Sequence, residues 1–136
     1  YSIHSYADNF LDSGSIAIYA GVEPKNLRVA IKAILEQVSQ LKESVPESEL
    51  VKAKELSKGR LILRMENSHN VAGWLGGQEI LIGRILSVEQ VISIIDAITA
   101  EELKQLAQEL LISQQLHLAV VGPVTTDEPL EELLKL

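Results

Sequence analysis

Apolar and polar residues alternate along Tyr1-Ser2-Ile3-His4-Ser5-Tyr6-Ala7, and apolar positions recur at Ile16, Ile18 and Ala20 within Gly14 to Val22. This period of two predicts a pair of strands, and the turn-rich stretch Asp8 to Ser13 between them predicts an antiparallel hairpin with one buried face. From Pro24 the period changes. Leu27, Ala30, Ile31, Ile34, Leu35, Val38 and Leu41 fall on one stripe at helical spacing, with Lys25, Arg28, Lys32 and Glu36 elsewhere. The spacing predicts a helix whose apolar stripe packs on the sheet.

Ser44-Val45-Pro46 breaks that helix, and Glu47 to about Glu66 reads as a long charge-rich one with Leu50, Ala53 and Leu56 on its inner face. Glu49, Lys52, Lys54 and Glu55 form its solvated face, while Gly59 weakens it locally. Ser68 is placed to cap a further helix reaching Gly83, in which Gly73, Gly76 and Gly77 point to close packing or a bend. Ser87-Val88-Glu89-Gln90 and Thr99-Ala100-Glu101-Glu102 both have capping-box spacing, in which a hydroxyl and a carboxylate or amide three residues on satisfy free backbone amides reciprocally. Two short helices follow, one burying Val88, Val91, Ile92 and Ile95, the other Leu103, Leu106, Ala107 and Leu110. Leu116 to Val121, stopped by Gly122-Pro123, predicts a third strand apolar enough for the centre of a sheet. Pro129 to Leu136 has room for a helical turn or two.

The order strand, strand, helices, strand predicts a two-layer α+β fold, with a mainly antiparallel sheet and helices packed on one face. No repeat or linker divides the chain, so residues 1–136 are expected to form a single domain, truncated at its N-terminus. Because the chain opens on Tyr1 inside a strand, it reads as a piece of a larger protein, with a strand expected before Tyr1 and a free sheet edge in its place.

Charge removes some functions. Nineteen acidic residues against twelve Lys and Arg give a formal net charge of −7, and the basic residues are scattered, so no nucleic-acid partner is expected. There is no cysteine, which excludes disulfides and thiolate sites and suits a reducing compartment. No apolar run reaches the roughly 20 residues that span a bilayer, so no membrane partner is expected, and the cytoplasm is the favoured location.

His4, His69 and His117 are too dispersed for helical metal-ligand spacing. His4 and His117 read as surface or cross-strand residues, and His69 as a helix-start residue. The Glu47 to Glu55 charges read as a solvated face, and Trp74 as a core anchor in preference to the flank of a peptide groove. Ser15 has no acid-base partner in reach of inference. Tyr1, taken alone, is an ordinary strand aromatic, and Tyr6 and Tyr19 carry no assignment.

The succession of segments resembles the second, non-zinc-binding domain of the pitrilysin, insulinase and mitochondrial processing peptidase family. The stretches that carry the likeness are Tyr1-Ser2-Ile3-His4-Ser5, Gly14-Ser15-Ile16-Ala17-Ile18-Tyr19-Ala20-Gly21, Glu49 to Lys54 with Lys58-Gly59, Gly83 to Ser87, Ile95 to Leu103, and Leu118-Ala119-Val120-Val121-Gly122-Pro123. The resemblance implies a domain that pairs with a zinc-bearing homologous domain or subunit, as a dimer, around a chamber where peptide substrates are cut. The family's His-x-x-Glu-His motif is absent here, so the resemblance places no metal in this chain and puts zinc in the parent or partner subunit. It also matches Tyr1 to the tyrosine of the family's arginine and tyrosine pair, implying an oxyanion-stabilising or substrate-orienting phenol in the intact enzyme. By itself the chain is expected to be inactive. A non-catalytic scaffold or partner subunit of the same family remains the alternative, and an interaction module acting through its sheet edge a third.

Overall fold

The computed structural model describes residues 2–123 and 129–136. The chain forms two compact units: Tyr1–Ala7, Ile16–Val45 and Glu101–Leu136 make the first, and Asp8–Ser15 with Pro46–Ala100 the second.

Strands β1 (Ser2–Asn9) and β2 (Gly14–Gly21) pair as a two-stranded ribbon. The Phe10 amide donates to the Ser13 carbonyl at 2.9 Å and closes the turn. Gly14 is needed there, because a Cβ at that position would lie 2.9 Å from the Asp8 carbonyl oxygen. The turn sets a register in which His4 faces Tyr19 and Ser2 faces Gly21.

The first unit is organised by helix α1 (Leu27–Glu43), entered through a 3-10 turn at Pro24–Asn26. Proline supplies a preset φ at a position whose amide would have no helical partner. Ile31 is buried in the middle of the predicted stripe, and α1 packs against a 3-10 turn at Leu130–Leu133. Helix α5 (Ala100–Leu110) buries Ala107, and its Gln108 side chain donates to the Lys42 carbonyl at 2.8 Å, occupying one of the free carbonyls at the end of α1. The Ser113 hydroxyl exchanges hydrogen bonds with the Leu136 backbone, at 3.1 Å to its carbonyl and 2.9 Å from its amide.

The second unit holds α2 (Glu47–Arg64), α3 (Ser68–Ile82) and α4 (Val88–Ala97). Its apolar anchor is Leu50, only 4% exposed. Asn67, one residue before the predicted Ser68, caps α3, accepting from the amides of His69 (2.9 Å) and Asn70 (3.3 Å). Gly83 ends α3 in the left-handed region, φ 70°, which glycine enters without steric cost. Buried Gln78 then accepts from the Leu86 amide at 3.0 Å and donates to its carbonyl at 3.5 Å, tying the chain that leaves α3 back to the helix. This delivers Ser87 to the start of α4, where its hydroxyl accepts from the Gln90 amide and the Gln90 side chain accepts from the Ser87 amide, completing the predicted capping box. Lys54 and Lys58 of α2 both reach Asp96 of α4, Lys54 donating to its carbonyl and Lys58 to its carboxylate, each at 2.8 Å.

The predicted sheet-dominated architecture is overturned. Of the described residues 62% are helical and 12% are in strands, and their sheet is two-stranded, so among them no mainly antiparallel layer exists for helices to cover. Among the described residues, Leu116 to Val121 pairs with neither strand, and Val121 is 101% exposed. The ribbon has no buried face: Ile3, Ile16 and Ile18 are all exposed. A helix satisfies its backbone within one segment, whereas a strand takes its hydrogen bonds and most of its side-chain contacts from neighbours, so strand propensity without a neighbour produces no strand.

Candidate functional site

The β1–β2 ribbon is where sequence reasoning puts the chemistry, and alternation fixes what each of its faces presents. One face carries Ile3 and Ala7 from β1 with Ile16, Ile18 and Ala20 from β2. The other carries Ser2, His4 and Tyr6 from β1 with Ala17 and Tyr19 from β2. On that second face the His4 and Tyr19 rings stack across the strands, with centroids 4.9 Å apart and planes 30° from parallel. Tyr6 continues the row along β1, its ring 6.2 Å from His4 at 28°. Tyr6 is 49% and Tyr19 55% exposed, so both side chains reach solvent while their stacked faces lie toward His4. Aromatic faces carry the negative side of a quadrupole and favour flat or cationic groups laid over them. The sequence holds the signal for this row, since a turn closed between Phe10 and Ser13 forces position 4 opposite position 19; the turn length was the missing datum.

Tyr1, the predicted catalytic residue, lies outside the described residues. The other singled-out residues are dispersed over elements. His4 is in β1, His69 in the first turn of α3, His117 in the irregular segment after Gln115, and Ser15 in β2. Trp74 is half-buried within α3. Among the described residues no group of three or more His, Asp or Glu side chains is arranged to hold a metal ion, and none of their helices is long and apolar enough to cross a membrane. The donor set that zinc requires is therefore not assembled by these residues.

Sequence reasoning missed the ion pairs between α2 and α4. The Lys58 ammonium lies 2.8 Å from Asp96 Oδ1 and 2.6 Å from Glu55 Oε1. Its pKa is held above the ordinary lysine value, first by the bond to Asp96 and then by that to Glu55. At the other end of α4 the Ser87 hydroxyl donates to Glu89 Oε2 at 2.7 Å, which lowers the Glu89 pKa. The first set ties α2 to α4, and the second lies at the N-terminal end of α4.

The profile of the peptidase M16 inactive domain matches residues 1–57, which include Tyr1 and the whole ribbon. An uncharacterized zinc protease of Bacillus subtilis, YmxG, is 30% identical over 124 residues, 90% of this chain and 30% of its own length. A second uncharacterized zinc protease, from Mycobacterium leprae, is 30% identical over 137 residues, 100% of this chain and 31% of its own. The chain is thus similar to the M16 peptidases, and its residues 1–57 to their inactive domain. A probable mitochondrial-processing peptidase subunit beta of Arabidopsis thaliana, 25% identical over 90% of the chain and 23% of its own length, extends the M16 likeness to processing enzymes. The chain spans about three-tenths of the length of the first two of these relatives.

Proposed function

We propose that this chain is the non-zinc-binding domain of a zinc-dependent endopeptidase, forming part of the wall of an enclosed chamber in which peptide bonds are hydrolysed. The observation that carries the reading is the match of the M16 inactive-domain profile over residues 1–57. The name zinc protease borne by the bacterial relatives supports a metal site on a zinc-bearing homologous domain or subunit, which this chain joins as a dimer. The bound zinc would supply Lewis acidity there; this chain supplies substrate contacts and one donor. That donor is Tyr1. A phenol aimed at the scissile carbonyl donates a hydrogen bond to the oxygen as negative charge builds on it, and being neutral it adds no competing charge beside the metal.

Exposed surface supports a partner. The chain exposes 10248 Å², whereas even two separate globular bodies of half its mass would together expose roughly 8,500 Å². The excess stands whatever the placement of the two units. It includes large apolar side chains that water solvates poorly, Ile80 and Leu63 among them.

The test is Tyr1→Phe in the zinc-bearing assembly. Turnover falls by about 100-fold with peptide binding retained, as expected when one oxyanion donor is removed. Unchanged turnover overturns the catalytic role of Tyr1 and favours the alternative, a scaffold or partner subunit of the same family without a catalytic residue. The 136-residue chain alone is inactive, and cleavage by it that a zinc chelator abolishes would refute this.

A further inference from the structure

We infer that Gly21 is a positioning residue for Tyr1: the space left by its missing side chain seats Ser2, the residue that follows Tyr1, and so fixes where the start of β1 holds the phenol. This rests on the reading of Tyr1 as the oxyanion donor and adds the residue that places it.

Gly21 ends β2 opposite Ser2, which begins β1. Its backbone does not call for glycine, since the positive φ values belong to Gly83 and Gly122. Space does. A Cβ on Gly21 would lie 3.0 Å from Ser2 Oγ and 3.9 Å from both Cε1 and the phenol oxygen of Tyr19. The serine hydroxyl therefore takes the place of a side chain, and the Tyr19 ring borders it. Glycine weakens a strand, and it marks positions where another group must come close. Gly21 is half-buried accordingly, whereas most of the ribbon is exposed.

This seat completes the fastening of the ribbon. Its turn end is closed by the Phe10–Ser13 bond and the approach of Gly14 to the Asp8 carbonyl, and its middle by the His4–Tyr19 stack. Strand ends fray where nothing fastens them, and Tyr1 is joined directly to the residue that Gly21 receives. A donor to a developing oxyanion works only near its productive position, and a misplacement of about 1 Å can cost about 100-fold in rate. A side chain at position 21 displaces Ser2 and the start of β1, and so reaches the reaction through Tyr1.

The test is Gly21→Val in the zinc-bearing assembly. Valine raises intrinsic strand preference, so a loss cannot come from a weaker strand. The kcat falls by about 10-fold with KM held within about 2-fold, a smaller fall than the roughly 100-fold expected of Tyr1→Phe. Adding Ser2→Gly to Gly21→Val moves the empty space to β1 and recovers most of kcat. In a Tyr1→Phe background Gly21→Val lowers kcat no further, because the group through which it acts is gone. Amide exchange of the 136-residue chain gives a readout apart from turnover: exchange at Ser2 and Ile3 accelerates in Gly21→Val and slows again in the paired variant. Full kcat in Gly21→Val, an equal loss with and without Tyr1→Phe, no recovery in the paired variant, or unchanged exchange overturns the positioning role. If Tyr1→Phe costs turnover and Gly21→Val does not, the positioning role alone falls and the proposed function stands. If Tyr1→Phe leaves turnover unchanged, the donor role falls and the positioning role with it.

Discussion

The helices α2, α3 and α4 and the ribbon β1–β2 are built by opposite means. The helices close their ends with specific polar groups: the Asn67 cap, the Gln78 grip on Leu86, the Ser87–Gln90 box and the two lysines on Asp96. The ribbon has its ladder, one turn bond from Phe10 to Ser13, and side chains that are almost all exposed. Local groups hold the helices together; the ribbon offers surface and takes little in return. The difference teaches that a chain can concentrate its structural polar groups on its helices and leave its strands exposed, so that substitutions affect one or the other.

The largest expected effect is on the helical side. Leu50→Ala empties the most buried apolar position among the described residues and lowers stability by about 2–5 kcal/mol, read by urea denaturation; a loss below about 1 kcal/mol would mean that the helices do not depend on that anchor. Gln78→Leu comes next. It strips the Leu86 amide of its acceptor and costs about 1–3 kcal/mol, with faster hydrogen exchange at Leu86 as the local signature.

Ser87→Ala removes the cap of α4 and costs about 1 kcal/mol. It also removes the hydrogen bond that lowers the Glu89 pKa, so the Glu89 carboxyl titrates closer to its ordinary value in the variant, as followed by NMR. In the unsubstituted chain the sign is that of a depressed acid. The contribution of Glu89 is complete above its unfolded pKa and disappears as pH falls through the lower folded value, so α4 amide exchange accelerates toward acid.

Lys58 shows the reverse sign. Its folded pKa is raised, so its contribution is complete below the unfolded value and is lost as pH rises through the folded one. Asp96→Asn removes the leading cause of that shift, and the alkaline acceleration of exchange at the end of α4 begins at lower pH. Smallest of all is Ile3→Ser on the ribbon, where an exposed side chain changes stability by no more than about 0.5 kcal/mol. A loss of several kcal/mol there would break the comparison, since the ribbon would then be a structural element too.

The helices were legible because their signals are short-range. The α1 stripe around Ile31, the Ser87 box and the Pro46 break each act within a few residues, and each is found where the pattern puts it. The cap of α3 was displaced by one residue, because Asn67 and Ser68 are both competent caps and the backbone geometry chose asparagine. Gln78 and Asp96 were not legible. The backbone contacted by Gln78 lies eight residues away and the lysines that reach Asp96 lie 38 and 42 away, and no local pattern records such distances.

The sequence alone determined which long segments are helical and where most of them start, that a turn within Asp8 to Ser13 joins two strands, and which family the chain resembles; all of these depend on residues close together or on order along the chain. Only the tertiary structure decided that Leu116 to Val121 is no strand, that both faces of the ribbon lie open, and that His4 stacks on Tyr19. The reason is the reach of the forces involved. A helical hydrogen bond closes four residues away, whereas a strand, a buried face and a ring stack exist only when a distant segment supplies the other half.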